Sequence, residues 1–267
     1  MSIFIRPFSS ILEHRRLVFD LVRRDVSARY KGTLLGLTWA ILNPLCMLAL
    51  YTFFFTAILK AKWNVGETHA NYGLMLFCGL IIHGWMADVL SRSPELLASN
   101  RNYVKKVVFP LDALTWISVL SALVQILLSL LLLIVLSLFM GNILSWSMLF
   151  LPVVLTPLFF MLLGLGWFIS SLSVFFRDIG QFMGSLITLL IFTSTAFFSL
   201  ETAPELIRPY LLFNPLTIIM DSLRQVTILH QYPDWGLLAW HSVASIVIFY
   251  AGYFWFERTR PGFADVI

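Results

Sequence analysis

The sequence predicts an all-α polytopic membrane protein, and two observations indicate this. Of its 267 residues, 59% are hydrophobic and only 12% are charged, and the mean hydropathy is +0.87. Soluble proteins average about 45–50% apolar and about 25% charged residues. The apolar residues also form segments of about 20 residues or more, the length that crosses a bilayer as a helix. Composition therefore excludes an ordinary cytosolic enzyme, a disordered protein and a small disulfide-stabilised domain.

The segment before the first apolar stretch, residues 1–31, predicts a cytoplasmic N-terminus with an amphipathic helix at 10–30. At about 100° per residue, one arc of this helix is apolar: Ile11, Leu12, Val18, Phe19, Val22 and Val26. The opposite arc is charged: Glu13, Arg16, Asp20, Arg23 and Arg24. Such a helix lies along a membrane interface. Arg15 and Asp25 break the pattern, so we expect one edge to contact protein or headgroups. The seven Lys and Arg residues of this segment argue against a cleavable signal peptide.

Six apolar segments are long enough to be transmembrane helices. They lie at residues 32–59, 70–90, 113–140, 143–176, 179–200 and 235–256. The third and fourth come from one uncharged stretch that is too long for a single helix, and Gly141 and Asn142 mark its break. The membrane domain is thus expected at 32–256, followed by a cytoplasmic tail at 257–267.

Positive charge predicts that both termini are cytoplasmic. Six spans place the two termini on the same side of the membrane. If that side is the inside, the inner segments contain 14 Lys and Arg residues and the outer loops contain 4. This asymmetry follows the positive-inside rule.

The inner loop after the second span, residues 91–110, predicts a short cytoplasmic helix. Ser93 followed by Pro94 is typical of an N-cap and a first helical position. Pro110 would end the segment after about three helical turns with a basic end. Composition alone leaves a solvated loop as an equal alternative.

The segment between the fifth and sixth spans predicts an outer helical hairpin. Thr202 and Glu205 have the spacing of a capping box. Asn214–Pro215 interrupts the segment, which favours two helices at about 203–213 and 216–230. Apolar stretches of about 10–14 residues are typical of re-entrant or interfacial elements.

No motif for catalysis or nucleotide binding is present in the sequence. There is no phosphate-binding loop, no zinc motif and no nucleophile elbow. Cys46 and Cys78 lie in apolar runs without metal-ligand spacing, so they are expected to behave as small hydrophobic side chains rather than as ligands or a functional disulfide. His83 and Asp88 are the ionisable residues of the second span, and helix packing explains them more simply than substrate contact. So few ionisable groups argue against a proton-coupled carrier.

Aromatic residues are abundant, with 24 Phe, 9 Trp and 8 Tyr. Several recur at helical spacing inside spans, such as Tyr51 with Phe55 in the first. Packing against lipid or the protein core is one explanation. The alternative is that aromatic faces stack on the C–H faces of sugar rings and line a pore for a long sugar chain.

The layout and five ordered segments resemble type-2 ABC exporter permeases of the polysaccharide and polyol-phosphate branch. The segments are RDVSARYKGTLLGLTWAILNP (24–44), NRNYVKKVVFP (100–110), SVFFRDIGQF (173–182), FNPLTIIMDSLR (213–224) and FERTRPGFADVI (256–267). Each is weak alone, but their common order is specific and covers nearly the whole chain. Within this branch the chain is most similar to O-antigen exporter permeases of the Wzm type.

The resemblance implies a transporter subunit rather than an enzyme. It implies a homodimer that pairs with two copies of a separate ABC ATPase, which would bind ATP and Mg, so this chain would bind no cofactor. The cargo would be a glycan on undecaprenyl diphosphate, and membrane lipids but no nucleic acid would be further partners. The location implied is the bacterial inner membrane.

The resemblance also implies roles for individual residues. The residues implied to contact the ATPase and couple it to transport are Glu95, Asn100, Arg101, Tyr103 and Lys105. The residues implied to bind the diphosphate are Arg23, Arg24, Arg29 and Lys31. The alternative for these four residues is contact with anionic lipid. Spans one and five are implied to line the channel, through Trp39, Tyr51, Phe55, Phe192 and Phe197. The residues implied to form the outer gate are Glu205, Asn214 and Pro215. Residues 194–205 lack the Ser-Pro that many relatives carry near the end of span five.

Two other functions remain alternatives on sequence alone. A type-2 ABC permease for teichoic acid, capsule, a small lipid or a drug would have the same architecture. A membrane-embedded glycosyl or acyl transferase would need acidic or histidine residues grouped on one face, and here they are scattered.

Overall fold

In the computed structural model of the chain, the structure describes residues 6–58, 60, 69–104 and 109–266. These residues are helical or lie in short connections, and no β-strand occurs among them. Five helices are long and apolar enough to cross a membrane. They are Trp39–Ile58, Tyr72–Ser99, Ala113–Phe139, Trp146–Phe175 and Trp235–Gly262. The all-α prediction is therefore confirmed for the described part of the chain.

The N-terminal amphipathic segment forms two helices, α1 (Arg6–Glu13) and α2 (Arg15–Tyr30), with a break at His14. Val18 and Leu21 of α2 are buried against the core. Leu12 and Phe19 are about two-thirds exposed. The helix thus uses a narrower protein-facing stripe than the predicted apolar arc.

The first span starts after a sharp turn at the end of α2. Gly32 and Gly36 have φ values of +87° and +51°, which residues with a side chain rarely adopt. The span consists of α3 (Trp39–Phe53) and one π-helical turn at Phe54–Ile58. Pro44 lies inside α3.

The second span, α4 (His69–Arg92), is the centre of the bundle. Of the residues in its most apolar stretch, 72% are buried, against 6% for the first span. A 3-10 turn at Ser93–Glu95 follows, and then two single-turn helices, α5 (Leu96–Ser99) and α6 (Arg101–Val104). The predicted helix of three turns is thus interrupted at Asn100.

The predicted N-cap at Ser93 is wrong. Its hydroxyl donates to the Val89 carbonyl, 2.7 Å away, inside the helix that it was expected to follow. The turn at Ser93–Glu95 therefore continues the second span rather than starting a separate element, although Pro94 does occupy the start of that turn.

The long uncharged stretch divides where predicted. Helices α7 (Ala113–Phe139) and α8 (Leu151–Phe175) flank Gly141, whose φ is +87°. A 3-10 turn at Trp146–Phe150 leads into α8. Glycine allows the chain to reverse here without steric cost.

The predicted fifth span is a shorter helix, α9 (Ile179–Phe192). Its 14 residues extend about 21 Å at 1.5 Å per residue, less than the roughly 30 Å hydrocarbon core of a bilayer. The helix ends at Phe192, and the next two residues, Thr193 and Ser194, donate their hydroxyls to the carbonyls of Leu189 and Ile191. Such local hydrogen bonds compete with a continuing helix.

The hairpin helices are α10 (Arg208–Phe213) and α11 (Pro215–Thr227), followed by the last span, α12 (Trp235–Thr259), and α13 (Phe263–Val266). The break at Asn214–Pro215 is as predicted, because Asn214 Oδ1 accepts from Leu216 N at 2.9 Å. The predicted capping box is wrong, since Thr202 donates to the Ser199 carbonyl. Glu205 is exposed in the turn before α10.

Helices α8 and α12 form the closest helix pair of the bundle. A Cβ added to Gly252 would overlap the carbonyl group of Gly164, and one added to Gly164 would overlap the backbone of Ile248. Small residues let two helix backbones approach in this way. We refer to the end of the bundle that carries α2 and α5 as the basic end, and to the opposite end, with α10 and α11, as the hairpin end.

Candidate functional site

Four charged residues at the basic end form one network between α2 and α4. Arg92 Nη2 lies 2.8 Å from both carboxylate oxygens of Asp25. Arg29 Nη1 lies 2.8 Å from Asp88 Oδ2 and Arg29 Nη2 lies 3.6 Å from Asp25 Oδ2. The four side chains are 23–30% exposed and their charges sum to zero. This charge network fixes α2 on the end of the second span and confirms that the Asp25 edge of α2 contacts protein.

A second polar contact joins α2 to the first and third spans. The Tyr30 hydroxyl donates to Gln125 Oε1 of α7. Gln125 Nε2 donates in turn to the carbonyl of Ala40 in α3, 2.8 Å away. Burial raises the pKa of the Tyr30 phenol, so it remains a neutral donor. Gln125 thus connects the amphipathic helix to the start of the least buried span.

A cavity of about 280 Å³ lies between α2, α5 and α7. Its lining includes Arg24, Glu95, Asn100 and Tyr103, so three of the residues expected to couple to an ATPase face one space. Asn100 Nδ2 donates to the Leu96 carbonyl at 2.8 Å. Tyr103 stacks on Phe109 with ring centroids 4.4 Å apart.

The other residues expected to act at this end are dispersed. Arg101 is exposed on α6, and Lys105 lies outside the described residues. Arg23 and Lys31 are exposed, as is Arg24 at the rim of the cavity. Arg29 belongs instead to the charge network, which makes it less available to a phosphate than the sequence indicated.

Aromatic residues gather at the opposite, hairpin end. Phe55 and Phe197 stack with ring centroids 5.1 Å apart and planes 15° apart. Tyr51 and Phe192 lie 6.0 and 5.8 Å from Phe197. The Tyr72 ring lies 6.1 Å from that of Phe55. We call these five residues the aromatic cluster.

The aromatic cluster contains four of the five residues expected to line a channel. Trp39 is the exception, because it starts α3 and lies about 18 Å along the helix from Tyr51. Sequence reasoning missed Tyr72, whose span was treated as packing rather than lining.

A cavity of about 480 Å³ runs beside α3 and α4 between the two ends. Arg29, Asp88 and Gln125 lie at its basic end, and Tyr51 lies toward the aromatic cluster. His83 lines its middle, with Nε2 3.4 Å from the Ile187 carbonyl of α9. The first span therefore has a polar start, a cavity along its length and an aromatic end.

Helices α3 and α9 leave large apolar side chains uncovered. Met47, Leu50 and Phe53 of α3 are 56–64% exposed, and Phe182 and Phe192 of α9 are 59% and 67% exposed. Some exposure is normal for helices that face lipid. Here, however, it coincides with two helices that each carry, or lead directly into, two residues of the aromatic cluster.

The hairpin end contains a buried cation that sequence reasoning missed. Arg224 is one of the four basic residues that the sequence places in the outer loops, yet its side chain is only 2% exposed. It pairs with Asp221 at 2.7 Å. The signal was available, because Asp and Arg three residues apart in an apolar helix need each other when buried. Asn214 also does more than cap α11, since its Nδ2 donates to the Leu190 carbonyl at the end of α9.

Comparison with known proteins identifies the family. Residues 16–228 match the ABC-2 type transporter family. This chain belongs to the ABC-2 type transporter family. It is 29% identical over 265 residues to the O-antigen export system permease protein RfbA of Myxococcus xanthus, covering 98% of this chain and all of that protein. It is 24% identical over 255 residues to the protein of the same name from Klebsiella pneumoniae, covering 94% of this chain and 96% of that protein.

The ABC-2 family match covers the charge network, both cavities and the aromatic cluster. It begins at residue 16 in α2 and ends at 228, after α11. The resemblance derived from sequence motifs is therefore confirmed at the level of the family. The matched proteins are named as permeases, which fits a transport subunit of an ABC system. Among the described residues, no group of three or more His, Cys, Asp or Glu could hold a metal ion.

Proposed function

We propose that this ABC-2 chain is the membrane subunit of an ATP-driven exporter for a lipid-linked polysaccharide. The cargo would be an O-antigen-type glycan on undecaprenyl diphosphate, moved across the bacterial inner membrane. The observation that carries the proposal is the match over nearly the full length to two permeases named for O-antigen export. The aromatic cluster supports it, because stacking suits a sugar chain of varied stereochemistry.

The orientation proposed places the basic end and both termini in the cytoplasm. The positive-inside rule supports this, since Lys and Arg concentrate in the segments at that end. The hairpin end then faces outward, and Glu205, Asn214 and Pro215 would contribute to an outer gate. In this orientation the cavity beside α3 runs from the entry side toward the exit side.

We propose that two copies of the chain form the channel. The uncovered apolar side chains of α3 and α9 support this, because a second copy would bury them while the aromatic cluster stays near the shared axis. Trp39, Tyr51, Phe55, Phe192 and Phe197 would then line the path at different depths.

A separate ABC ATPase would supply the energy, and ATP and Mg would bind to it. The docking site proposed is the rim of the 280 Å³ cavity, with Glu95, Asn100, Arg101, Tyr103 and Lys105 in contact. Movement of this rim would reach α2 through Arg92 and Asp25, and then α3 through Tyr30 and Gln125.

The entry site proposed for the carrier diphosphate is formed by Arg23, Arg24 and Lys31. Their exposure at the basic end supports the assignment, because Arg and Lys bind phosphate oxygens well. Arg29 would take part only if the charge network rearranged.

Deletion of the gene tests the proposal. We expect carrier-linked glycan to accumulate on the cytoplasmic side of the inner membrane and to disappear from the surface. Normal surface glycan in the deletion strain would reject polysaccharide export and favour a smaller cargo for the same architecture. Complementation with the intact gene controls for effects on neighbouring genes.

A further inference from the structure

Arg224 of α11 makes hydrogen bonds to three separate parts of the protein. Its Nε donates to the Met75 carbonyl of α4 at 2.9 Å. Its Nη2 donates to the Ala196 carbonyl at 3.1 Å. Its Nη1 donates to Asp221 of its own helix at 2.7 Å and to Thr195 Oγ1 at 3.4 Å. A buried guanidinium with this many acceptors fixes the position of each of them.

Two of these acceptors lie in the turn at residues 193–199, which follows α9. Thr195 is held twice, because its hydroxyl also donates to Asp221 at 3.1 Å. The turn lies directly against α4 at Gly79. A Cβ there would be 2.9 Å from Arg224 Nη2 and 3.0 Å from the Ala196 Cα, so the close approach requires glycine.

The same turn carries Phe197, the central ring of the aromatic cluster. The Tyr72 hydroxyl of α4 donates to the Phe197 carbonyl at 3.0 Å. Asn214, at the start of α11, donates to Thr193 Oγ1 at 2.9 Å. Helix α11 therefore holds the turn at both of its own ends, through Asn214 and through Arg224.

We infer that Arg224 is a positioning residue for the aromatic cluster. Its guanidinium ties the turn at 193–199 to α11, so the hairpin helix and Phe197 move as one unit. Arg224 also bonds the Met75 carbonyl of α4, and Tyr72 of α4 bonds the Phe197 carbonyl, so the turn keeps Phe197 beside Phe55 while Arg224 seats α11 on α4. When α11 is seated, the cluster is closed. The inference rests on the proposed function only in treating the hairpin end as the exit.

Cross-linking of a cysteine pair measures this directly. The reporter pair is Phe55→Cys with Phe197→Cys, in a chain whose Cys46 and Cys78 are replaced by alanine. A short bifunctional thiol reagent is applied to membranes, and the rate of intramolecular cross-linking is followed. A second pair, Phe168→Cys with Trp255→Cys, reports on α8 and α12, where the native rings lie 5.6 Å apart.

We expect Arg224→Met to slow cross-linking of the reporter pair at least tenfold and to leave the second pair unchanged. Arg224→Lys keeps the charge beside Asp221 but has one nitrogen for acceptors on three elements, so an intermediate rate is expected. Arg208→Met is the matched control. Arg208 also lies in the hairpin, but it donates to the carbonyls of Ala203 and Glu201, outside the turn.

Two outcomes would overturn the inference. One is a reporter rate in Arg224→Met equal to that of the parent. The other is equal slowing of both pairs, which would mean a general loss of packing. If Arg224→Met does not accumulate in membranes, Thr195→Val decides, because it removes both hydrogen bonds of the Thr195 hydroxyl, from Arg224 and to Asp221, and leaves the ion pair between Arg224 and Asp221 intact. A threefold slowing supports the inference, and an unchanged rate rejects it.

The measurement needs neither glycan nor ATPase. An unchanged rate would therefore reject the positioning role and leave the export proposal standing. Normal surface glycan in the deletion strain, together with slowed cross-linking, would reject the export proposal alone.

Discussion

A single nitrogen of Arg92, Nη2, lies 2.8 Å from each carboxylate oxygen of Asp25, and this contact joins the end of the second span to the amphipathic helix. The contact lies beside the 280 Å³ cavity, whose lining includes both residues. In the proposed coupling route, a movement of the segment after α4 would reach α2 through this contact.

The first prediction concerns this contact. Asp25→Asn should reduce export severalfold while lowering stability by about 1 kcal/mol or less, because partly exposed ion pairs contribute about 0.2–1 kcal/mol. Surface glycan and thermal unfolding in detergent measure the two effects. Asp20→Asn, exposed on the same helix, is the control, and full export by Asp25→Asn would contradict the coupling route.

The second prediction concerns Gln125. Gln125→Leu removes the donor to the Ala40 carbonyl and the acceptor for Tyr30. An unsatisfied buried carbonyl costs about 1–3 kcal/mol, so thermal unfolding should occur at lower temperature. Tyr30→Phe removes only the hydrogen bond between Tyr30 and Gln125, so it should lower the unfolding temperature less than Gln125→Leu does. Equal unfolding temperatures for Gln125→Leu and the parent would show that α3 is held by other contacts.

The third prediction concerns the glycine contact between α8 and α12. Gly252→Val should prevent accumulation in membranes, because any Cβ there overlaps the Gly164 backbone. Gly184→Ala on α9 is the control, since a Cβ there meets nothing within 4 Å. Immunoblots of membranes measure both. Normal amounts of Gly252→Val would mean that the two helices can separate at little cost.

The fourth prediction tests the homodimer. Met47→Cys on α3 and Val243→Cys on α12 have parent side chains of nearly equal exposure, 56% and 58%. Oxidation should give a cross-linked dimer with Met47→Cys and little with Val243→Cys, each in a chain free of its native cysteines. Dimer from Val243→Cys alone would place the interface on the other side of the bundle.

The fifth prediction concerns the aromatic cluster. Phe192→Ala should reduce surface glycan severalfold, since this ring of the cluster is 67% exposed and available for stacking. Phe254→Ala, 61% exposed on α12, should have little effect. The amount and length of surface glycan are measured at equal protein abundance. Equal effects of the two variants would assign the rings to lipid contact.

Much of the fold was predictable because hydropathy and turn residues act locally. The breaks at Gly141 and at Asn214–Pro215 follow from backbone preferences that a few residues decide. The early end of α9 was not predictable from hydropathy, because residues 193–199 are apolar enough to continue a span. Their hydroxyl groups bond to local carbonyls instead, and Arg224 holds the resulting turn from another helix.

The candidate site likewise contains residues whose role the sequence predicts and residues whose role only the packed structure shows. Four of the five expected channel residues meet in one cluster: Tyr51 and Phe55 are one turn apart in the first span, and the turn after α9 brings Phe197 between them and Phe192. The role of Arg29 was harder to foresee, since its partner Asp88 is 59 positions away. Gln125 gave a weak signal, as an isolated polar residue in an apolar helix, whereas Arg224 had a signal in Asp221 three residues before it.

The sequence by itself determined that this chain is a helical membrane protein of the ABC-2 type, because the length of its apolar segments and the order of its motifs are properties of the linear chain. It also determined where most helices begin and end. The tertiary structure alone decided which charges neutralise each other, which rings meet and which turn Arg224 holds. Those contacts join residues far apart in the chain, and their energies depend on burial that exists only once the helices have packed.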